Sequence, residues 1–231
     1  MAKKGKLIVI DGTDGSGKAT QVDLLVKRIK KEGRKVKVVD FPEYYKNFFG
    51  EFIGHCLSEQ YYNFLNVHPK IVSVLFAADR WQSKKDMEQW LKDGYIVIAN
   101  RYVSANQIHQ GGKTHDAKRR NDFLKWLDKM EYDVFGIPRP DVTFYLSLPI
   151  KVVLELIESR SSSKMQREYL KRGKDVHERD VNFLINSRKS AMKLVKEVPN
   201  FIKIECAKGN KILSREVIHE MIYESCSRIL N

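Results

Sequence analysis

The sequence predicts an α/β fold, a doubly wound five-stranded parallel sheet flanked by helices. Three observations predict it: five apolar runs, most of them nearly continuous, helical patterns between them, and a glycine-rich turn after the first run. Alternating strands and helices are typical of doubly wound folds, and continuous apolar strands are typical of sheets covered on both faces. The five runs are Leu7–Asp11, Lys35–Asp40, Tyr95–Ala99, Val142–Ser147 and Phe201–Glu205.

The first strand leads into a phosphate-binding loop. The stretch Gly12 to Lys18 fits the pattern G-x-x-x-x-G-K, and a helical pattern starts directly after it. Glycines let successive N–H groups turn toward an anion, the helix N-terminus adds a positive dipole end, and Lys18 adds a full charge. A glycine-rich turn without a ligand is the alternative. The residues predicted to bind phosphates here are Gly12, Thr13, Asp14, Gly15, Ser16, Gly17, Lys18, Ala19 and Thr20.

Length and composition suit a single domain over residues 1–231, since 231 residues bury a full core. We see no apolar stretch of about 18 residues, so a membrane span is not expected. The basic start before Leu7 is interpreted as a frayed end that precedes a core strand, not as a signal peptide. Three scattered cysteines fit neither a disulfide framework nor a zinc site and favour a reducing, cytoplasmic location.

The net charge of +13, from 42 Lys and Arg against 29 Asp and Glu, has two interpretations. The excess could line a site for several phosphates, or it could give nonspecific affinity for nucleic acid. No nucleic-acid motif with stacking aromatic residues accompanies it, so phosphate ligands are favoured.

Two further segments stand out. The pattern His68–Lys92 predicts one helix, with Pro69 in its first turn, Gly94 at its end and Trp81 in the core. The second segment, about 159–179, is polar and densely basic. It is either a solvated loop and helix or a mobile lid that brings arginines over a polyphosphate, and its place after the fourth strand favours the lid.

Taken together and in order, these motifs resemble the thymidylate kinase family of P-loop nucleoside monophosphate kinases. The matches run over nearly the whole chain: Asp11 to Lys18, Phe41-Pro42, Phe76 to Trp81, Asn100-Arg101-Tyr102, Gln110-Gly111, Pro140-Asp141 and the basic lid. The resemblance implies transfer of the terminal phosphoryl group of ATP to dTMP, with Mg²⁺ as cofactor. It also implies a homodimer.

The resemblance assigns roles around the acceptor nucleotide. Lys18 and the loop would hold the ATP phosphates, and Arg101 would clamp the acceptor phosphate with its planar fork. An arginine paired only with a carboxylate is the alternative for Arg101. Phe76 would stack on thymine, Arg80 would donate to a base carbonyl, and Asp14 would bond the sugar 3′-hydroxyl. The other residues expected in this pocket are Phe41, Pro42, Tyr44, Asn106, Gln107 and His109.

The resemblance also implies that a lid arginine acts in catalysis, because the phosphate loop has Gly15 and no arginine. Arg160 is placed to cover the adenine or the phosphates, and Arg167 and Arg172 are the reaching candidates. Ala207 and Lys208 match the loop that lines the adenine.

Three positions depart from the family pattern. Ala19 replaces the expected Mg²⁺ hydroxyl, and Asn100 stands where an aspartate is usual. We therefore expect weaker Mg²⁺ binding, with Asn100 and, through a water, Asp11 contributing. His109 replaces an aromatic ring that excludes a ribose 2′-hydroxyl, so looser discrimination between deoxy and ribo substrates is expected.

Other functions remain open at this point. The chain could be a kinase of another pyrimidine monophosphate, dUMP or UMP, because no residue in the sequence identifies a pocket for the thymine methyl group. The losses at Ala19 and Asn100 could instead mark a weakly active nucleotide-binding protein. A basic nucleic-acid binder rests on charge alone.

Overall fold

The computed structural model describes residues 4–58, 61, 66–114, 116–162 and 181–230, without the side chains of residues 160–162. A five-stranded sheet, parallel throughout, lies at its centre in the order β2-β3-β1-β4-β5. The predicted fold class is therefore confirmed. The strands are β1 Lys6–Gly12, β2 Val36–Asp40, β3 Ile96–Asn100, β4 Val142–Ser147 and β5 Phe201–Glu205.

Helices cover both faces of the sheet in the described part of the chain. The apolar strand interiors pack against these helices, and the three central strands β1, β3 and β4 are the most buried. The helices are α1 Lys18–Lys31, α2 Phe48–Leu57, α3 Pro69–Gln82, α4 Lys84–Lys92, α5 Val103–Gly112, α6 Ala117–Asp128, α7 Ile150–Ser162, α8 Val181–Glu197 and α9 Arg215–Leu230, with a π-helical segment Lys129–Val134 after α6.

The predicted helix His68–Lys92 is wrong in one respect, because the chain forms two helices that meet at Ser83. Ser83 ends α3 through its N–H, which donates to the Arg80 carbonyl, and its carbonyl accepts from the Met87 N–H at the start of α4. The Ser83 hydroxyl donates to the carboxylate of Glu43. A side chain that bonds outside its own helix offers the backbone an alternative to continuous helix.

Trp81 is also not a core residue, since 51% of it is exposed. The buried face of α3 carries Val72, Ala77 and Arg80, and Trp81 lies on the opposite side. A second element that the sequence did not predict is an antiparallel hairpin of β6 Ala207–Lys208 and β7 Lys211–Ile212 after the sheet.

Within the described residues, no helix combines the length and apolar character needed to cross a membrane.

Candidate active site

The phosphate loop joins β1 to α1 at the carboxyl edge of the sheet, where doubly wound folds bind ligands. Gly17 caps α1 with φ 86°, and a Cβ at Gly12 would lie 2.9 Å from the Leu146 carbonyl oxygen. Both positions therefore require glycine. The Lys18 ammonium donates to the carbonyls of Gly12 (3.0 Å) and Thr13 (2.9 Å), so its charge lies across the loop.

The last residues of β2 and β3 are polar, and their side chains lie on the face of the sheet that α1 covers. Ile98 of β3 packs in the same cluster as Leu25 of α1, and Val36 of β2 packs against that cluster. Because side chains alternate along a strand, Asn100 and Asp40 lie on this face. The two residues are register partners, and the Asn100 side chain hydrogen-bonds the Asp40 carboxylate. Ala19 is the second residue of α1 and is exposed.

The other face of the sheet holds Asp11. Val9 packs with Val103 of α5, and Asp11, two residues later, lies on this opposite side. The Asp11 carboxylate is fully buried; one oxygen accepts from the Gly12 N–H at 2.8 Å and the other from the Ser104 hydroxyl at 2.5 Å. The contribution of Asp11 to a metal through a water stays a prediction, since a carboxylate oxygen that accepts one hydrogen bond can accept another.

Arg101 follows β3 and connects the loop to the cleft beside it. Its backbone has φ 65°, which is unusual for a residue with a side chain. The guanidinium lies 2.5 Å from Asp14 Oδ1, 3.8 Å from Asp11 Oδ1 and 3.1 Å from His109 Nε2. The carboxylate partner considered from the sequence is therefore present, and Arg101 nevertheless lines the cleft.

The cleft lies between the phosphate loop, the end of β2, α3 and α5. Nine of the ten residues predicted to bind the acceptor, all except Gln107, belong to its lining. The lining consists of Asp14, Phe41, Pro42, Tyr44, Leu57, Phe76, Arg80, Arg101, Ala105, Asn106, His109 and Gln110. Apolar walls with a few convergent polar groups are typical of nucleotide and small-molecule sites.

A buried ion pair holds Arg80 at the wall of the cleft. Arg80 is 1% exposed and Glu131 is 0% exposed. Arg80 Nε donates to Glu131 Oε2 at 2.8 Å and Nη2 donates to Oε1 at 2.5 Å. Asn106 Nδ2 also donates to Glu131 Oε1, at 2.8 Å, and to the Ser73 carbonyl at 3.1 Å. The carboxylate of Glu131 keeps the pKa of Arg80 above its ordinary value against the effect of burial.

His109 lies on α5 and lines the cleft. Its ring stacks on Phe183 of α8, with centroids 5.8 Å apart and an interplanar angle of 14°. With Arg101 Nη1 as donor, His109 Nε2 accepts the 3.1 Å hydrogen bond. The imidazole is thus fixed between an arginine and an aromatic ring.

Several predicted residues fall outside the cleft or outside the described residues. Gln107 does not line the cleft, and its carbonyl instead accepts from the Ser190 hydroxyl; Gln110, one helical turn later, lines it. Thr20 lies in the first turn of α1 and is half-buried. Ala207 and Lys208 form β6 beyond β5. Arg167, Arg172 and the side chain of Arg160 lie outside the described residues.

Sequence reasoning missed Glu131, Asp40, Gln110 and Ser104. Gln110 entered only as part of a motif, and Asp40 was read as the last residue of a strand. Glu131 lies in the π-helical segment, and its sequence neighbourhood gives no sign of a partner 51 residues earlier. A π-helical turn often accompanies a functional site, but its presence is not visible in a residue pattern.

Comparison with known proteins gives consistent matches. A family model described as thymidylate kinase matches residues 10–218. The chain is 28% identical to a thymidylate kinase of Thermosipho africanus (strain TCF52B), over 85% of this chain and 96% of that protein. It is 29% identical to a thymidylate kinase of Mycobacterium tuberculosis (strain H37Rv), over 75% of this chain and 78% of that protein.

A solved structure of a Candida albicans thymidylate kinase superimposes with a TM-score of 0.72 and 20% sequence identity, covering 97% of this chain and 92% of that one. At this identity the likeness concerns the fold.

Proposed function

Because this chain belongs to the thymidylate kinase family and transfers a phosphoryl group from ATP to dTMP, we propose which of its side chains carry the reaction. The observation that supports the assignment is the position of Arg101 between the phosphate loop and the cleft. A group there can contact an acceptor phosphate while Lys18 contacts the donor.

In the proposed reaction the acceptor phosphate of dTMP attacks the γ-phosphorus of ATP. A P–O bond forms to dTMP, the bond to the β–γ bridging oxygen breaks, and ADP leaves with that electron pair. Catalysis of such a transfer depends on alignment and on positive charge around the moving group. Lys18 and the loop N–H groups hold the ATP phosphates, and Arg101 orients the acceptor.

The base and sugar are held by the walls of the cleft. Phe76 stacks on the pyrimidine, and Arg80, fixed by Glu131, donates to a base carbonyl. Asp14 accepts from the sugar hydroxyl, and Phe41 with Pro42 shapes the pocket beside it. The lid arginines Arg160, Arg167 and Arg172 complete the charge around the phosphates, and Ala207 with Lys208 lines the adenine.

Mg²⁺ is the proposed cofactor, and one feature of the described residues fits it. Asn100 Oδ1 is buried on the α1 face, where no described residue donates to it. No group of three or more His, Cys, Asp or Glu converges in the described ranges, so nucleotide oxygens and water would supply most ligands. When bound, Mg²⁺ would neutralise charge on the transferring phosphates.

The central test compares Lys18→Met with Lys27→Met, an equivalent change on the outer part of α1. We expect Lys18→Met to lower kcat by about a hundredfold or more, and Lys27→Met to leave it near the unsubstituted value. Arg101→Lys keeps the charge but loses the fork, so KM for dTMP should rise. Coupled measurement of ADP release with dTMP reads out all three. Full activity of Lys18→Met would refute the assignment.

A broader acceptor range is the second candidate, a kinase that also accepts dUMP or UMP. The supporting observation is His109, smaller and more polar than an aromatic ring, at the wall of the cleft. The similar Candida albicans enzyme is described as having broad substrate specificity. Turnover of dTMP, dUMP and UMP compared at equal concentration tests this, and a profile restricted to dTMP would contradict it.

We further propose that the protein is a homodimer that buries the outer face of α3. Ile71, Val74 and Trp81 share one side of the helix and are 59%, 39% and 51% exposed. Such a stripe is typical of an interaction surface. Light scattering should give about twice the protomer mass of 27.0 kDa. Trp81→Glu should give the protomer mass, whereas Val134→Glu, an equally polar change at an exposed site elsewhere, should not.

A single domain over residues 1–231 and a cytoplasmic location also remain proposals. The location is supported by the cysteines, since Cys56, Cys206 and Cys226 are all buried free thiols.

A further inference from the structure

The α1 face of the sheet presents two oxygen-bearing side chains at the edge where α1 begins. Asn100 of β3 and Asp40 of β2 are register partners, so their side chains emerge side by side. The amide of Asn100 hydrogen-bonds the Asp40 carboxylate, while its Oδ1 is a buried oxygen to which no described residue donates. The amide therefore directs its oxygen away from Asp40.

Asp40 is an exposed residue on the α1 face of the sheet. Asp11, by contrast, is buried on the other face, where its carboxylate accepts hydrogen bonds from Gly12 and Ser104. Burial of part of the carboxyl raises the pKa of Asp40, and the charges of Arg101 and Lys18 act in the opposite direction. Asp40 ends β2 directly before Phe41 and Pro42, which line the acceptor cleft.

We propose that Asp40 supplies the carboxylate of the Mg²⁺ site, acting through metal-bound water together with the amide oxygen of Asn100. The negative charge of the site then comes from β2 and not from β3. Mg²⁺ keeps several of its waters in proteins, and these waters need acceptors such as a carboxylate and an amide oxygen. This inference rests on the use of Mg²⁺ proposed above.

The arrangement accounts for two features of the chain at once. The amide at residue 100 leaves β3 without a carboxylate, and the neighbouring strand end provides one at the same level of the sheet. Ala19 offers no hydroxyl at the start of α1, so the carboxylate becomes more important for holding the metal's water shell. Substituting a residue that hydrogen-bonds a metal ligand typically weakens metal binding by 10–100-fold.

The test measures Mn²⁺ binding to the protein–ADP complex by EPR, without turnover. We expect Asp40→Asn to weaken Mn²⁺ binding by about tenfold or more. The double variant Asp40→Asn with Asn100→Asp transfers the carboxylate from the end of β2 to the end of β3. It should recover most of the Mn²⁺ affinity that Asp40→Asn loses. Asp23→Asn removes the same charge from the exposed side of α1 and should leave the affinity unchanged.

Two results would overturn the inference. One is an affinity of Asp40→Asn equal to that of the unsubstituted protein or of Asp23→Asn. The other is a double variant, folded by thermal unfolding, that binds Mn²⁺ no more tightly than Asp40→Asn. If the unsubstituted protein bound Mn²⁺ no better than free ADP does, the proposed use of the metal would fail too, which separates the two failures.

Discussion

The buried pair of Arg80 and Glu131 gives the sharpest energetic prediction. Glu131→Gln keeps the shape of the side chain and removes its charge. Glu131 accepts from Arg80 through both oxygens, and one of these also accepts from Asn106. An amide NH₂ in either orientation therefore faces a donor. The substitution leaves an uncompensated guanidinium in a position that is 1% exposed.

Removing one partner of a buried ion pair costs about 3–5 kcal/mol. For a chain of this length each kcal/mol lowers Tm by about 2–4 °C, so we expect a decrease of about 6–20 °C. Urea unfolding monitored by fluorescence and by circular dichroism gives the free energy directly. KM for dTMP should also rise, because Arg80 is no longer oriented toward the base.

The chain contains a matched control on its surface. Arg139 and Asp128 form a similar two-contact pair, with bonds of 3.0 and 2.8 Å, in which the side chains are 57% and 42% exposed. Asp128→Asn should cost at most about 1 kcal/mol, since water screens exposed pairs. If Glu131→Gln cost no more than Asp128→Asn, the argument from burial would be refuted.

Three further predictions concern specificity, pH and the metal. His109→Tyr should raise the preference for dUMP over UMP about tenfold, which corresponds to about 1.4 kcal/mol. The preference is measured as the ratio of the two kcat/KM values, and an unchanged ratio would show that His109 does not select the sugar. Burial lowers the pKa of Lys113 to about 8, so the unfolded chain binds more protons above that pH. The free energy of unfolding should rise with pH from about 8 toward about 10.5 relative to Lys113→Met, as followed by urea unfolding; parallel curves would contradict this. Ala19→Ser should tighten Mn²⁺ binding to the ADP complex, and equal affinities would show that no hydroxyl is missing.

The strands and the phosphate loop could be predicted because their signals are local. Each strand is a short run of apolar residues, and the loop is defined by glycines and a lysine at fixed spacing. The break at Ser83 could not be predicted in the same way. It depends on a bond from Ser83 to Glu43, a residue forty positions earlier in the chain.

In the candidate site, too, residues with a local sequence signal were predicted, and residues that depend on long-range packing were not. Phe76 and Arg80 were recognised from their spacing and from the family pattern, and the structure places both at the cleft. The partner of Arg80, Glu131, was not recognised, because the pair is closed by the packing of α3 against the π-helical segment. The exposure of Trp81 was missed for a related reason: an apolar side chain gives no indication of which helix face meets the core.

By itself the sequence determined the order of strands and helices, the phosphate loop and the residue types available for phosphoryl transfer. The tertiary structure alone decided which carboxylate serves which partner: Asp11 turns to Ser104, Glu131 to Arg80 and Asp40 to the α1 face. The physical reason is that side-chain direction follows from strand alternation and register once the sheet is assembled. These properties relate residues that are distant in the chain.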